Sequence, residues 1–245
     1  MKVTITPNPS LDPDQRLELT AGFTAAVQDT PDWSARVHAV AQLFGELVVG
    51  GAFIESCPQL QWKVSVVGSV ATIALSRMPA DASALGAAGR VLLALAPDLP
   101  LVSLGVRGQT ATRPGRALPA LAAALSLQPK ARAQPAFAAE LDPGTEWLHL
   151  EVHRGGAMDM QTATWLDEAT RLWADAANAG ALSDPSPDFE LAAGDAVVYP
   201  AAVGADFWST QVVFHDLSPD APNALINLFD ELSRTKGGLG HVSVT

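Results

Sequence analysis

Residues 16–20 and 147–153 alternate apolar and polar side chains, the period of a strand that turns one face to a core. Leu17 and Leu19 form the inward set of the first, Leu148, Leu150 and Val152 that of the second. A helical period follows each. After Thr30-Pro31, an N-cap and a first-turn proline, Trp33, Val37, Val40, Phe44, Leu47 and Val48 fall on one stripe. In the second, Asp159 caps a helix with Trp165, Ala169, Leu172, Trp173 and Ala176 on its buried stripe, and Gly180 ends it. Two strand-like stretches come next in each half, 61–67 with 71–77 and 196–201 with 210–215. A second helix then carries Leu85, Ala88, Leu92 and Leu95 in one half and Leu225, Leu228, Phe229 and Leu232 in the other. Residues 101–107 and 239–245 supply closing strands, and residues 1–6, alternating about Val3 and Ile5, an extra edge strand.

The two halves share more than a pattern. Leu11-Asp12-Pro13 returns as Leu141-Asp142-Pro143, Trp33 as Trp165, Gly51-Ala52 as Gly180-Ala181, Pro79 as Pro219, Ala84-Leu85 as Ala224-Leu225 and Val102-Ser103 as Val242-Ser243. The offset lies between 129 and 132 in the first part of the unit and is 140 thereafter, so one longer connection falls between Ala181 and Pro219. Self-similarity of this kind marks an internal duplication. The order β-α-β-β-α-β resembles the ferredoxin-like split βαβ fold. That resemblance implies an α+β chain of two tandem units, residues 1–107 with the extra strand and residues 141–245, each an antiparallel sheet with helices on one face. Residues 108–140 read as an Ala/Pro-rich basic linker with one short helix over 117–127, and their charge favours docking on the acidic second unit. Architecture of this kind does not choose a function.

Charge narrows the field. The 245 residues carry a net −11, distributed as −3 over residues 1–106, +4 over 107–140 and −12 over 141–245. So acidic a surface repels phosphate backbones and anionic lipid, which argues against nucleic-acid and membrane partners. The amino terminus lacks a signal-like apolar stretch, and Glu46 and Asp98 interrupt the longest apolar runs, so the expected location is cytoplasmic. The one cysteine, Cys57, cannot form an internal disulfide or a cysteine-cluster metal site.

Candidate chemistry gathers on the sheet face that the helices leave open. With Leu148, Leu150 and Val152 inward, Trp147, His149, Glu151 and His153 stand in a row on the other side, alternate residues about 6.5 to 7 Å apart. The closing strand lies beside them and presents His241, Ser243 and Thr245, while the facing of His215 is ambiguous. Two imidazoles and a carboxylate can ligate a divalent metal through His149, Glu151 and His153, or act as acid and base near neutral pH. Half-exposed polar residues lining a seam are the plainer reading. Tyr199 and Trp208, in the lengthened connection, are binding candidates because loops on a rigid scaffold carry recognition. Gly155-Gly156 after Arg154 reads as a turn rather than an anion cradle, and Ser209 or Ser218 with His215 and Asp216 lacks a hydrolase elbow.

The expectation is therefore a non-enzymatic binding protein that meets a second copy of itself, another protein or a small molecule through the open face and the 199–208 loop. The alternatives are a small-molecule enzyme, metal-assisted in one form, using His149, Glu151, His153 and His241, and an acidic surface engaging a basic protein. The two open faces are expected to look at each other or at a partner subunit, with Ile73, Leu75, Leu101, Trp147 and Leu239 across the seam, or to merge into a single sheet.

Overall fold

The computed structural model describes residues 2–5, 10–11, 16–29, 32–54, 57–77, 81–95, 101–108, 116–117, 121–144, 146–185 and 194–245. The chain runs β1 (Lys2–Ile5), β2 (Ser10–Leu11), β3 (Arg16–Phe23), α1 (Trp33–Val49), β4 (Gln61–Val67), β5 (Val70–Ser76), α2 (Ala82–Leu93), β6 (Leu101–Gly108), β7 (Arg116–Ala117) and α3 (Leu121–Leu125). It continues through β8 (Ala138–Leu141), β9 (Trp147–Arg154), α4 (Met160–Asn178), β10 (Val197–Val198), β11 (Ala202–Val203), β12 (Phe207–Val213), α5 (Ala221–Lys236) and β13 (Leu239–Val244). This is a mixed α+β protein with two main, largely antiparallel sheets. The first has the order β1-β6-β3-β5-β4 and the second β10-β12-β9-β13-β8, with β11 also on β12. In each, the only parallel pair among the described strands is at one edge, β1 on β6 and β8 on β13.

Alternation decides which side of each sheet is covered. Leu17, Leu19, Ala21, Ile73 and Leu75 in the first sheet, and Leu148, Leu150, Val152, Val212, Val242 and Val244 in the second, are buried under the helices. Each of the larger side chains contributes about 2 kcal/mol by leaving water. The helices of the halves then pack on one another: Gly50, capping α1, sits against Leu228 of α5 and Leu172 of α4, and Gly180, after α4, against Ala94 at the end of α2. Both helical layers therefore lie between the sheets, and both open faces point outward. This corrects the expected seam within the chain: Ile73 and Leu75 are fully buried beneath helices, Leu239 is buried, and among the described residues the open sheet faces do not meet each other and the two main sheets do not merge. The physical reason is visible in α2, whose residues from Ser83 to Leu93 are all buried. A helix with small or apolar residues all round needs a second covering surface: α3 supplies most of it, against Gly86, and Gly180 and Ala181 of the other half meet its C-terminal part.

The same device fastens each half to the other. Helix α1 ends with Gly51 N–H donating to Val48 O and Ala52 N–H to Leu47 O; α4 ends with Gly180 N–H donating to Ala177 O and Ala181 N–H to Ala176 O. Both glycines take positive φ, 87° and 77°, where a Cβ would be strained. The next carbonyls are gripped reciprocally: Asn227 Nδ2 of α5 donates to Ala52 O at 3.1 Å, and Arg90 Nε of α2 to Ala181 O at 2.7 Å. Arg132, in the stretch before β8, joins three segments by donating to Asp230 and Glu231 at 2.8 and 2.9 Å and to the Gly51 and Phe53 carbonyls. Arg132 of that stretch is thus held on α5 by charge. At the start of α1 the N-cap is Asp32, left-handed and without a side-chain capping bond; Thr30 and Pro31 lie outside the described residues.

Candidate functional site on the open face of the second sheet

Pairing register lays out the exposed face of this sheet row by row. Val197, Val213 and Trp147 form one row across β10, β12 and β9. The next holds Gln211 and His149, with Thr245 tied to His149 by two backbone hydrogen bonds. Ala202, Ser209, Glu151, Ser243 and Glu140 span the third, and Phe207, His153, His241 and Ala138 the fourth. The face is graded: an apolar end, polar middle rows and an imidazole end. Trp147 and Val197 are 47% and 50% exposed at the apolar end.

Glu151 organises the middle. His153 Nε2 donates to its Oε1 at 2.7 Å, while His149 Nε2 stands 3.9 Å from Oε2. His241 lies across from His153 with ring centroids 6.3 Å apart, and Phe207 lies 6.2 Å away on the other side. Among the described residues no group of three His, Cys, Asp or Glu side chains is placed to hold a metal ion. His153 and His149 stand beside different oxygens of the Glu151 carboxylate, His153 within hydrogen-bond distance and His149 beyond it. An imidazole held by a carboxylate can relay a proton, yet all three side chains are more than a third exposed, where water screens them.

The other sequence candidates separate. Trp208 does not reach the open face. It faces inward opposite Val152, is fully buried, donates from Nε1 to Asp167 at 2.9 Å and packs edge-on to Phe229. Tyr199 is half-exposed beside β12, its backbone held by Gln211 O and Thr210 Oγ1. His215 lies beyond the end of β12 in an exposed bend, so it is not part of the row. Ser218 is buried and receives the Asp220 N–H. Arg154 is occupied by Asp159, whose carboxylate also caps α4 through the Thr162 N–H; these contacts, the Thr162 bond first, hold the Asp159 pKa below the usual carboxylate value. The N-terminus of α4 thus carries its own anion. Trp165 is half-buried beneath the Lys236 ammonium, 5.3 Å from the ring centre. The apolar row of Val197, Val213 and Trp147 escaped the sequence reading because a row across a sheet exists only once register is known.

Among the described residues no helix is long and apolar enough to cross a membrane. No family model matches the chain, and no curated protein matches it. Solved structures give remote likenesses. An unknown protein from Galdieria sulphuraria is 10% identical with a TM-score of 0.22, over 95% of this chain and 96% of that one. A putative M16-like peptidase from Alicyclobacillus acidocaldarius is 11% identical with a TM-score of 0.25, over 96% and 76%. A mutant chlorite dismutase from Candidatus Nitrospira defluvii is 13% identical with a TM-score of 0.23, over 94% and 90%. Superpositions this loose carry neither fold nor activity to the present chain.

Proposed function

We propose that this protein is a non-enzymatic docking module built from two tandem ferredoxin-like units, and that the open face of its second sheet binds a basic protein segment with an apolar anchor. The tandem reading is supported by the matching strand orders β6-β3-β5-β4 and β13-β9-β12-β10 and by the matching helix ends at Gly51 and Gly180. The observation that carries the docking reading is the row Val197, Val213 and Trp147, with Trp147 and Val197 open to solvent, two rows from the Glu151 carboxylate on the same face. An aromatic anchor beside polar rows is the make-up of a binding hot spot. The four rows, three, three, five and four residues wide at about 7 Å by 4.8 Å per residue, give about 500 Å² per partner, the size of a weak or transient complex. Residues 141–245 carry a net −12, which steers a cationic partner toward this half.

The test is a peptide-display selection on the full-length chain and on its Trp147→Ala and Glu151→Gln variants. Lys- or Arg-rich peptides with an aliphatic or aromatic residue are expected from the unaltered chain, weakening at least tenfold in Trp147→Ala and less in Glu151→Gln. Acidic peptides, or the same peptides held equally by Trp147→Ala, refute the proposal. A dimer in sedimentation that Trp147→Ala dissolves refutes it as well, since the face then belongs to a second copy.

A further inference from the structure

The first sheet has an open face of the opposite character. Glu18 and Lys63 both pair with Ala74, one from each neighbouring strand, and Arg107 pairs with Glu18, giving the row Arg107, Glu18, Ala74, Lys63. The row above holds Thr20, Thr72 and Ser65, with the Thr20 and Thr72 hydroxyls 3.4 Å apart. Arg16, two residues from Glu18, reaches back to it at 3.2 Å. Ala74 supplies only a methyl group where its neighbours carry long side chains. The result is a depression of about 320 Å³ with Ala74 as its floor and Arg16, Glu18, Lys63, Ser65 and Thr72 as its walls.

We propose that this depression is a binding site for a small molecule bearing an oxyanion, a carboxylate or a phosphate. Arg16, Lys63 and Arg107 outnumber the single carboxylate of Glu18, so the face is cationic on a chain of net charge −11. Among the described residues Lys63 and Arg107 have no ion-pair partner, whereas Arg16 is shared with Glu18. Strands about 4.8 Å apart set Glu18 and Lys63 roughly 10 Å from each other across Ala74, room for one oxyanion between them. The oxyanion meets Lys63 and the Arg16 fork from the sides, and the Thr72 and Ser65 hydroxyls donate from the adjoining row. Glu18 holds Arg16 in place and accepts from any hydroxyl or ammonium on the rest of the ligand. This site lies on the other sheet from the docking face and stands independently of it.

Inorganic phosphate and acetate, each titrated into the full chain at constant ionic strength, are the probes, read by amide chemical shifts. Saturable shifts centred on residues 63, 72 and 74 are expected, with the tighter of the two ions naming the oxyanion. Lys63→Gln should weaken binding on the order of tenfold, the loss of one charged hydrogen bond. Glu18→Gln should tighten it by removing a like charge. Ala74→Leu, which fills the floor from the solvent side, should abolish it without unfolding the chain. Shifts that do not saturate with either ion, or binding that Ala74→Leu leaves intact, overturn the proposal.

Discussion

Arg90 offers the sharpest test of how the two halves are joined. It is fully buried in α2 and donates Nε to Ala181 O at 2.7 Å and Nη1 to the Leu125 and Leu127 carbonyls at 2.7 and 2.9 Å. Replacing it with methionine, of similar length and without donors, takes the donor from two buried carbonyls and one part-buried one. Each costs about 1 to 3 kcal/mol, about 6 kcal/mol together. Against that stands relief of the buried charge. Desolvation lowers the Arg90 pKa to about 10, opposed by the more weakly acting Asp184. That displacement corresponds to about 3 kcal/mol. The net expectation is a loss of about 3 kcal/mol. In urea at pH 7, with a slope of about 3 kcal/mol per molar, the midpoint should fall by about 1 M. An unchanged or raised midpoint would refute the reasoning, because it would mean that the carbonyl bonds do not outweigh the desolvation of the guanidinium.

Asp230 should govern acid stability. Burial raises its pKa, but bonds from Arg234, Arg132 and the Ala136 N–H outweigh burial and hold it below the ordinary carboxylate value. A depressed carboxylate stabilises above its unfolded pKa and loses that effect as pH falls through the folded one. Asp230→Asn should therefore be less stable than the unaltered chain at pH 7, with thermal unfolding showing the gap close as pH falls below about 4. Gly86→Ala tests packing against propensity. The added methyl gains about 1 kcal/mol of helix propensity, but it would stand 2.1 Å from the Ala124 carbonyl oxygen, so α3 must move and a net loss of about 1 to 2 kcal/mol is expected in chemical denaturation. A more stable Gly86→Ala chain would show that α3 yields freely.

Much of the interior was legible in the residues. The alternation about Leu148, Leu150 and Val152, and the stripe of Trp33, Val37, Phe44, Leu47 and Val48, match what is buried, because Cβ direction along a strand or helix repeats locally. The helix end at Gly180 was legible too, because glycine favours the positive φ such an end takes; Gly51, its repeat counterpart, proves to be the matching end of α1. Trp208 was not. The strand was read from Thr210, which left Phe207 and Trp208 in a loop, whereas β12 begins at Phe207 and parity turns Trp208 inward. For α2 the signal was present and missed: Ala84, Gly86, Ala87, Ala88 and Gly89 are small on every side of the helix.

Sequence alone determined the repeated order of the longer strands and helices and the apolar face of strands such as β3 and β9, since both follow from neighbours a few residues apart. Tertiary structure decided that the helical layers meet inside and the sheets face outward. It also decided that Val197, Val213 and Trp147 share a row and that Glu18 and Lys63 flank Ala74. Those arrangements depend on register and on the docking of one half against the other. Both are set by contacts between residues far apart in the chain, which a local period cannot encode.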